Sequence, residues 1–297
     1  MTARTTAGRR GEGISALLFL SPTLLVFSVF VAFPVFFSLY LSFHTWNMFG
    51  SESTFVGLDN YTRIFRSPEF WDVLKNTAAY TLGTIPLNML AALGVAYVLN
   101  KRIAGKKLLR TAFFAPVIMS SVAAAVIWRW VYEPNFGLLN YCLSWVGIPA
   151  VNWLNDPTAA MFALIMMGVW KTFGVNMVLF SAGLQGIPDH YYEAAEIDGA
   201  GRWHRFWHIT LPLLSPTTFF ILVMSVIGSF QVFDTVYVLT SGGPLGSTKV
   251  MVFYLYENAF KFFDMGYASA VAYVLFAIIF ALTLLQVKYL KARVHYA

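Results

Sequence analysis

The sequence predicts an all-α membrane protein with six transmembrane helices and one short helix in a cytoplasmic loop. Of its 297 residues, 58% are hydrophobic and 11% are charged, whereas about a quarter of the residues in an ordinary soluble domain are charged. The apolar residues come in blocks of roughly 20, the length that a helix needs to cross about 30 Å of hydrocarbon. Because a span in lipid must satisfy its own backbone hydrogen bonds, such continuous blocks fit helices rather than the alternating strands of a barrel.

The chain is predicted to consist of a cytoplasmic tail, residues 1–13, and one transmembrane domain, residues 14–297, without an appended soluble domain. The first apolar block begins near Ile14 and runs to about Phe43. It is too long for a signal peptide and has no small-residue cleavage pattern, so we interpret it as the first span. The predicted spans cover residues 16–41, 77–99, 111–131, 159–184, 213–238 and 267–289, and the loop that separates the fourth from the fifth covers residues 185–212.

The distribution of Lys and Arg predicts the orientation, because short loops rich in these residues stay on the cytoplasmic side. With the amino terminus inside, thirteen of them lie in cytoplasmic segments and five in outer segments. Both termini are therefore expected in the cytoplasm. The net charge of +6 follows from this asymmetry and requires no nucleic-acid partner.

The loop over residues 185–212 is the longest and most polar cytoplasmic segment. Pro188 suits the first turn of a helix, where its missing N–H would be unpaired in any case. Glu193 favours the amino-terminal end of the helix dipole, and Gly199 and Gly201 permit a sharp stop. The pattern predicts a short docking helix of roughly ten residues. An alternative is an amphipathic helix that rests on the bilayer surface.

From Glu193 the loop reads EAAEIDGAGRWHRFWHITLP. This string resembles the cytoplasmic loop of permease subunits in binding-protein-dependent ATP-binding-cassette (ABC) importers, which has EAA, then DGA, an apolar residue and I-x-L-P. In register with that pattern are Glu193, Ala194, Ala195, Asp198, Gly199, Ala200, Phe206, Ile209, Leu211 and Pro212. The stretches FVGLDNY, VYVLTSGGP and MGYASA are similar to the carbohydrate-uptake branch, of the maltose and glycerol-3-phosphate type, and to the first permease of the pair.

The resemblance implies the type I ABC importer permease fold, in which the loop forms a coupling helix that inserts into a cleft of an ATPase subunit. The residues expected in that contact are Glu193, Ala194, Ala195, Asp198, Gly199, Ala200 and Gly201. It also implies a second permease subunit, two ATPase subunits and an extracytoplasmic solute-binding protein that faces the loops at 45–76 and 132–158. The chain is then a multi-pass protein of a prokaryotic inner membrane and forms the path for a sugar or related polyol.

The energy source is expected on another chain, so this subunit is not itself an enzyme. No phosphate-binding G-x-x-x-x-G-K-[ST] sequence occurs, and the Gly-rich SGGPLGSTK segment around Lys249 lacks the spacing. ATP and Mg²⁺ would bind to the partner ATPase, and we expect no cofactor here. The single cysteine, Cys142, excludes an internal disulfide and any multi-cysteine metal site.

Polar residues inside the fourth and fifth spans are candidates for the substrate path. Lys171 lies near the middle of the fourth span. Inserting a charged side chain at that depth of the bilayer costs roughly 2.5–3.5 kcal/mol, so Lys171 should face protein or an aqueous cavity. Sugars are bound by amide and hydroxyl groups together with aromatic faces, which indicates Asn176, Ser225, Ser229, Phe230 and Gln231. The same polar groups are equally suited to hydrogen bonds between helices.

Three other functions fit six spans less well. An intramembrane serine protease needs a buried Ser and His pair, but the five histidines, His44, His190, His204, His208 and His295, fall in loops or tails. A secondary transporter would normally show a carboxylate within a span and an internal repeat, and neither is evident. A structural scaffold would leave the coupling-loop pattern unexplained.

Overall fold

The computed structural model describes residues 18–47, 53–101 and 103–290, except for the side chain of the last of these. The chain divides into two compact units. The first consists of Met1–Arg66 and Asn258–Tyr273, and the second of Ser67–Glu257 and Val274–Ala297. Helices dominate the described part, which contains one hairpin of two-residue strands.

The amino-terminal part of the first unit contains one long apolar helix. Helix α1 (Leu18–Ser42) has 25 residues and a mean hydropathy of 2.4, and it includes a π-helical turn at Ser28–Ala32. Strands β1 (His44–Thr45) and β2 (Thr54–Phe55) pair antiparallel and lead to α2 (Asp59–Arg66).

Two of the stretches that carried the family resemblance are structural in this unit. Asn60 is buried, and its Nδ2 donates to the carbonyl oxygens of Ser42 (2.9 Å) and His44 (3.0 Å). At Gly266 any Cβ atom would clash with the carbonyl oxygen of His44, so only glycine fits. These contacts fix the chain as it leaves α1.

The second unit and the helix shared between the units follow in chain order. They are α3 (Pro68–Asn100), α4 (Lys106–Ile118), α5 (Ser121–Val131), α6 (Leu138–Ser144), α7 (Pro157–Gln185), α8 (His190–Ile197), α9 (Arg202–Leu213), α10 (Ser215–Phe230), α11 (Asp234–Leu239), α12 (Met251–Tyr256, continued by a π-helical turn at Glu257–Lys261) and α13 (Met265–Leu290).

Helices α3 and α7 form the centre of the second unit, and local signals fix where they start. Ser67 and Asp156 cap their amino-terminal ends, and in each the next residue is proline. Small residues let the two helices approach closely: Gly83 lies against Ile165, whose side chain would have to shift to admit a Cβ atom. The pair therefore forms the rigid frame on which the other helices of this unit pack.

Among the described residues, four helices are long and apolar enough to cross a membrane, namely α1, α3, α7 and α13. Two further crossings arise if each bent pair is one span: α4 with α5, bent by 101°, and α9 with α10, bent by 62°. This count of up to six agrees with the predicted number.

Two predicted spans are not the single helices that their hydropathy indicated. The segment 111–131 breaks at Met119 and Ser120, just after the last turn of α4, which contains Pro116. The segment 213–238 is broken near its start, at Leu214, because Pro216 lacks the N–H that would continue α9 into α10. It ends early, at Phe230, and α11 follows as a separate helix.

The sharp break after α4 is bridged by a side chain from α7. A helix end leaves its last carbonyl groups without partners, and lipid offers none. Lys171 donates from Nζ to the carbonyl oxygens of Pro116 (2.9 Å), Val117 (3.2 Å) and Met119 (2.6 Å). A cation at the carboxyl end of a helix is also favoured by the helix dipole. Lys171 therefore stabilises the break.

Replacing Lys171 with methionine should lower the thermal stability of the protein in detergent. Leaving a buried hydrogen-bonding group unsatisfied costs about 1–3 kcal/mol, so the midpoint of thermal unfolding should fall by several degrees. Lys107→Met is the matched control, because Lys107 is exposed and its ammonium is absent from the break. Equal midpoints for the two variants would contradict this role for Lys171.

Candidate functional site

Helix α8 has a sharply defined end. Gly199 follows it with φ +76°, a left-handed conformation that favours glycine. The N–H of Ala200 donates to the carbonyl oxygen of Ala195 (2.8 Å), and the N–H of Gly199 donates to that of Glu196 (3.0 Å). These are the two hydrogen bonds of a Schellman motif. The DGA part of the loop is thus a rigid helix terminus.

Side-chain contacts connect α8 to α9, the first helix of the bent pair α9 and α10. The hydroxyl groups of Tyr192 and Thr210 form a hydrogen bond of 3.0 Å, and Thr210 is 1% exposed. Arg205 donates to Glu196 at 2.9 Å, but the glutamate is largely exposed, and such pairs contribute at most about 1 kcal/mol. The hydrogen bond between Tyr192 and Thr210 is therefore the stronger of the two connections, and it joins α8 and α9 into one structural unit.

One face of α8 is exposed to solvent. Ile197 is 87% exposed. Within the described part of the chain, the carboxylates of Glu193 and Asp198 take part in no hydrogen bond or ion pair. An exposed apolar side chain between two unpaired acidic groups is a suitable contact for a basic partner surface.

The turn after α8 encloses a shallow hollow of 440 Å³. Five of the seven predicted coupling residues line it, and Glu193 and Ala194 lie beside it on α8. The complete lining is Ala195, Asp198, Gly199, Ala200, Gly201, His204, His208 and Ile209. The predicted coupling residues thus form one continuous surface.

A larger cavity of 610 Å³ lies between α3, α7 and α10. It brings together five of the six residues predicted for the substrate path: Lys171, Asn176, Ser225, Ser229 and Gln231. Phe230 does not line this cavity and is 5% exposed. Sequence analysis did not identify several other lining residues, among them Tyr80, Thr84, Asn88, Phe220, Phe233 and Asp234.

Amide groups link the helices around this cavity. Asn176 donates to Oδ1 of Asn88 (2.6 Å) and to Oγ of Ser225 (3.4 Å). Asn88 donates in turn to Oγ1 of Thr172 (2.8 Å). The same groups therefore join three helices and also line the cavity. Their part in a substrate path stays a prediction. An asparagine two residues after Pro86 in an apolar span was the signal that could have identified Asn88.

The cavity presents hydroxyl groups, amides and aromatic rings rather than a free cation. The ammonium group of Lys171 is engaged by three carbonyl oxygens. The rings of Tyr80, Phe220 and Phe233 lie on its walls, and Asp234 is exposed at the start of α11. Such a lining suits a neutral, hydroxyl-rich molecule.

The Gly-rich segment around Lys249 is anchored by ion pairs. Lys249 Nζ lies 2.7 Å from a carboxylate oxygen of both Glu69 and Glu257. Partial burial lowers the pKa of Lys249, but the hydrogen bonds and charges of the two glutamates outweigh it, so the pKa is raised. Its ammonium is thus fully used in holding the segment. No cluster of metal-ligating side chains is found among the described residues.

Comparison with known proteins identifies the family. The model of the family described as "binding-protein-dependent transport system inner membrane component" matches residues 7–296. A probable ABC transporter permease protein of Bacillus subtilis is 40% identical over 292 residues, which cover 97% of this chain and 94% of that protein. The trehalose/maltose transport system permease protein of Thermococcus litoralis is 37% identical over 271 residues, with 91% and 92% covered.

A solved structure supports the fold. The chain is similar to one in the crystal structure of a bacterial ABC transporter involved in the import of the acidic polysaccharide alginate, with a TM-score of 0.80 and 24% identity. The match covers 96% of this chain and 99% of that chain. The predicted all-α permease fold is confirmed. The chain belongs to the binding-protein-dependent transport system inner membrane components, which are the permease subunits of ABC transporters.

Proposed function

We propose that this permease forms half of the path by which an ATP-driven importer carries a sugar or related polyol into a prokaryotic cell. One observation carries the proposal: the helix with the open acidic face, α8, is hydrogen-bonded to the bent helix pair that lines the polar cavity. A movement imposed on α8 therefore reaches the cavity.

The mechanical connection can be followed residue by residue. Tyr192 on α8 is bonded to Thr210 near the end of α9. The bend at Leu214 joins α9 to α10, and Leu214 itself is fully buried in the core that contains Phe180 of α7. Ser225, one of the cavity residues, lies further along α10. When an ATPase moves α8, the bend transmits that movement to one wall of the cavity while the α3 and α7 frame holds the other.

The proposed partners are a second permease subunit, two ATPase subunits and an extracytoplasmic solute-binding protein. Both termini lie in the cytoplasm in this arrangement, so α8 faces the ATPase. The ATPases bind ATP and Mg²⁺. The unpaired carboxylates of Glu193 and Asp198 meet basic groups of the ATPase cleft, where charge-assisted hydrogen bonds are strong. The Schellman turn keeps this surface rigid, so little ordering cost accompanies docking.

The outer loop that precedes α7 has the form expected of a docking site for the binding protein. Asn140 fixes it from within: Oδ1 accepts from the N–H of Val151 (3.1 Å) and from Nε1 of Trp153 (2.8 Å). Trp145 and Val146 are each 72% exposed. A rigid loop with an exposed tryptophan is typical of an interface anchor.

The solute class follows from the cavity and from the relatives. The trehalose/maltose permease is named for two disaccharides, and the cavity described above offers amides, hydroxyl groups and rings. Because the three N–H groups of the Lys171 ammonium donate to carbonyl oxygens at the break after α4, they are not available to pair with an anionic substrate. The proposed solute is therefore a neutral sugar or polyol.

Gly199→Leu and Glu193→Lys should each abolish uptake while leaving the protein in the membrane. The first forces a branched side chain into a left-handed position, and the second reverses a charge on the docking face. In both variants we expect the ATPase to be lost when the tagged chain is purified in mild detergent and its partners are identified by mass spectrometry.

Gly105→Leu is the matched control for the first variant. Gly105 also has a positive φ, +75°, and a Cβ atom there would meet nothing within 4 Å. It lies outside the α8 surface, so the strain is similar but the ATPase should stay bound. Retention of the ATPase and of uptake in both test variants would overturn the assignment of α8.

Ser225→Phe should block the path without releasing the ATPase. The phenylalanine ring would occupy the cavity between α7 and α10, so uptake should fall to background while the ATPase still co-purifies. Val178→Phe is the control, because Val178 is exposed on α7 and does not line the cavity. Normal uptake through the Ser225→Phe protein would show that the solute takes another route.

A further inference from the structure

A separate, mostly apolar groove of 390 Å³ lies where the end of α3 meets the start of α9. Its lining is Leu90, Leu93, Gly94, Tyr97, Lys101, Arg202, Trp203 and Phe206. The rings of Tyr97 and Phe206 meet edge to face, with centroids 5.1 Å apart, and join the two helices at one end of the groove. Among the residues that the structure describes, this groove shares no lining residue with the polar cavity.

Two cations stand in the lining of the groove. Lys101 Nζ lies 5.1 Å from the centroid of the Tyr97 ring, and Arg202 is exposed at the first position of α9. Within the described part of the chain, neither forms an ion pair with a carboxylate. The groove therefore combines an apolar interior with uncompensated positive charge.

Gly94 leaves unfilled space inside the groove. A Cβ atom built on Gly94 would meet no other atom within 4 Å, although glycine is the least favourable residue for a helix interior after proline. Its neighbours Leu90 and Leu93 complete an apolar channel along α3. An extended hydrocarbon chain fits a surface of this kind.

We propose that this groove binds one anionic phospholipid, with an acyl chain along Leu90 and Gly94 and the phosphate between Lys101 and Arg202. In the orientation proposed above, the groove opens to the cytoplasmic leaflet, where anionic lipids are attracted by clustered Lys and Arg. Trp203 is 77% exposed beside it, and tryptophan favours the level of the headgroups. Because α9 links α8 to the cavity, the lipid is bound beside the element that transmits the movement.

The test uses the full-length chain, with the partners that co-purify, in nanodiscs that contain a photoactivatable phosphatidylglycerol with a diazirine in its acyl chain. After illumination, peptides are mapped by mass spectrometry. We expect labelling of the segments 90–101 and 202–206, and stronger labelling than with a phosphatidylcholine probe of the same chain. The readout does not depend on transport, so a failure of the proposed import function would leave it intact.

Variants then separate the groove from general exposure to lipid. Gly94→Leu fills the channel and should remove most of the labelling, while Ala79→Leu, at an exposed position of the same helix, should not. Lys101→Gln should reduce labelling by roughly fivefold, the factor that corresponds to about 1 kcal/mol per cationic residue near an anionic surface. Lys107→Gln is the matched charge control and should retain it.

Three results would overturn the proposal. Equal labelling of the unaltered protein and Gly94→Leu would mean that the groove holds no acyl chain. Equal labelling by the two lipid probes would mean that the cations do not select an anionic headgroup. Absence of labelling in both segments would mean that another polypeptide covers the groove in the assembly.

Discussion

A backbone carbonyl group that loses its helical partner inside a membrane must find another donor, and this constraint governs how the chain can break its helices. The bend of 101° after α4 ends a helix within a predicted membrane span. Lys171 meets the requirement with one ammonium group and three hydrogen bonds. The cost of a charge within the span is offset because the partners are the negative end of a helix dipole.

The polar cavity depends on the same breaks. The cavity extends from Asn88 and Asn176 to both breaks, because its lining includes Ser121 at the start of α5 and Gln231 after the end of α10. The amides of Asn88 and Asn176 are joined by a hydrogen bond of 2.6 Å, so part of the polar lining is satisfied within the protein.

The sequence predicted the class of fold because the bilayer imposes a length and a composition on every span, and both can be read from the amino-acid sequence. The loop pattern predicted a short helix with a stop, which is found as α8 and the Schellman turn at Gly199. Hydropathy does not reveal the bends, since an average over about 20 residues is the same for a straight and a broken helix. Pro116 and Pro216 are the sequence signal for them, because a proline within a span tends to kink the helix.

Side-chain direction was a second limit of the sequence. Ser229, Phe230 and Gln231 are consecutive, yet Phe230 alone is outside the cavity, and only the rotation of α10 decides this. Lys171 was expected to face protein or an aqueous cavity, and it lines the cavity while bonding to a helix end. Its partners belong to a break that hydropathy does not reveal. Asn88 was missed, although an asparagine two residues after Pro86 in an apolar span was a signal for it.

The central claim is that α8 drives a change of access at the cavity, and cysteine labelling from each side of the membrane tests it most directly. Ser225→Cys in a Cys142→Ser background would be probed with a membrane-impermeant maleimide, with and without trapped ATP on the partner ATPases. Val178→Cys serves as the control, because Val178 is exposed on α7 and does not line the cavity. The account predicts that labelling of Ser225→Cys changes from one side of the membrane to the other when ATP is trapped. Labelling that stays on the same side in both states would contradict it.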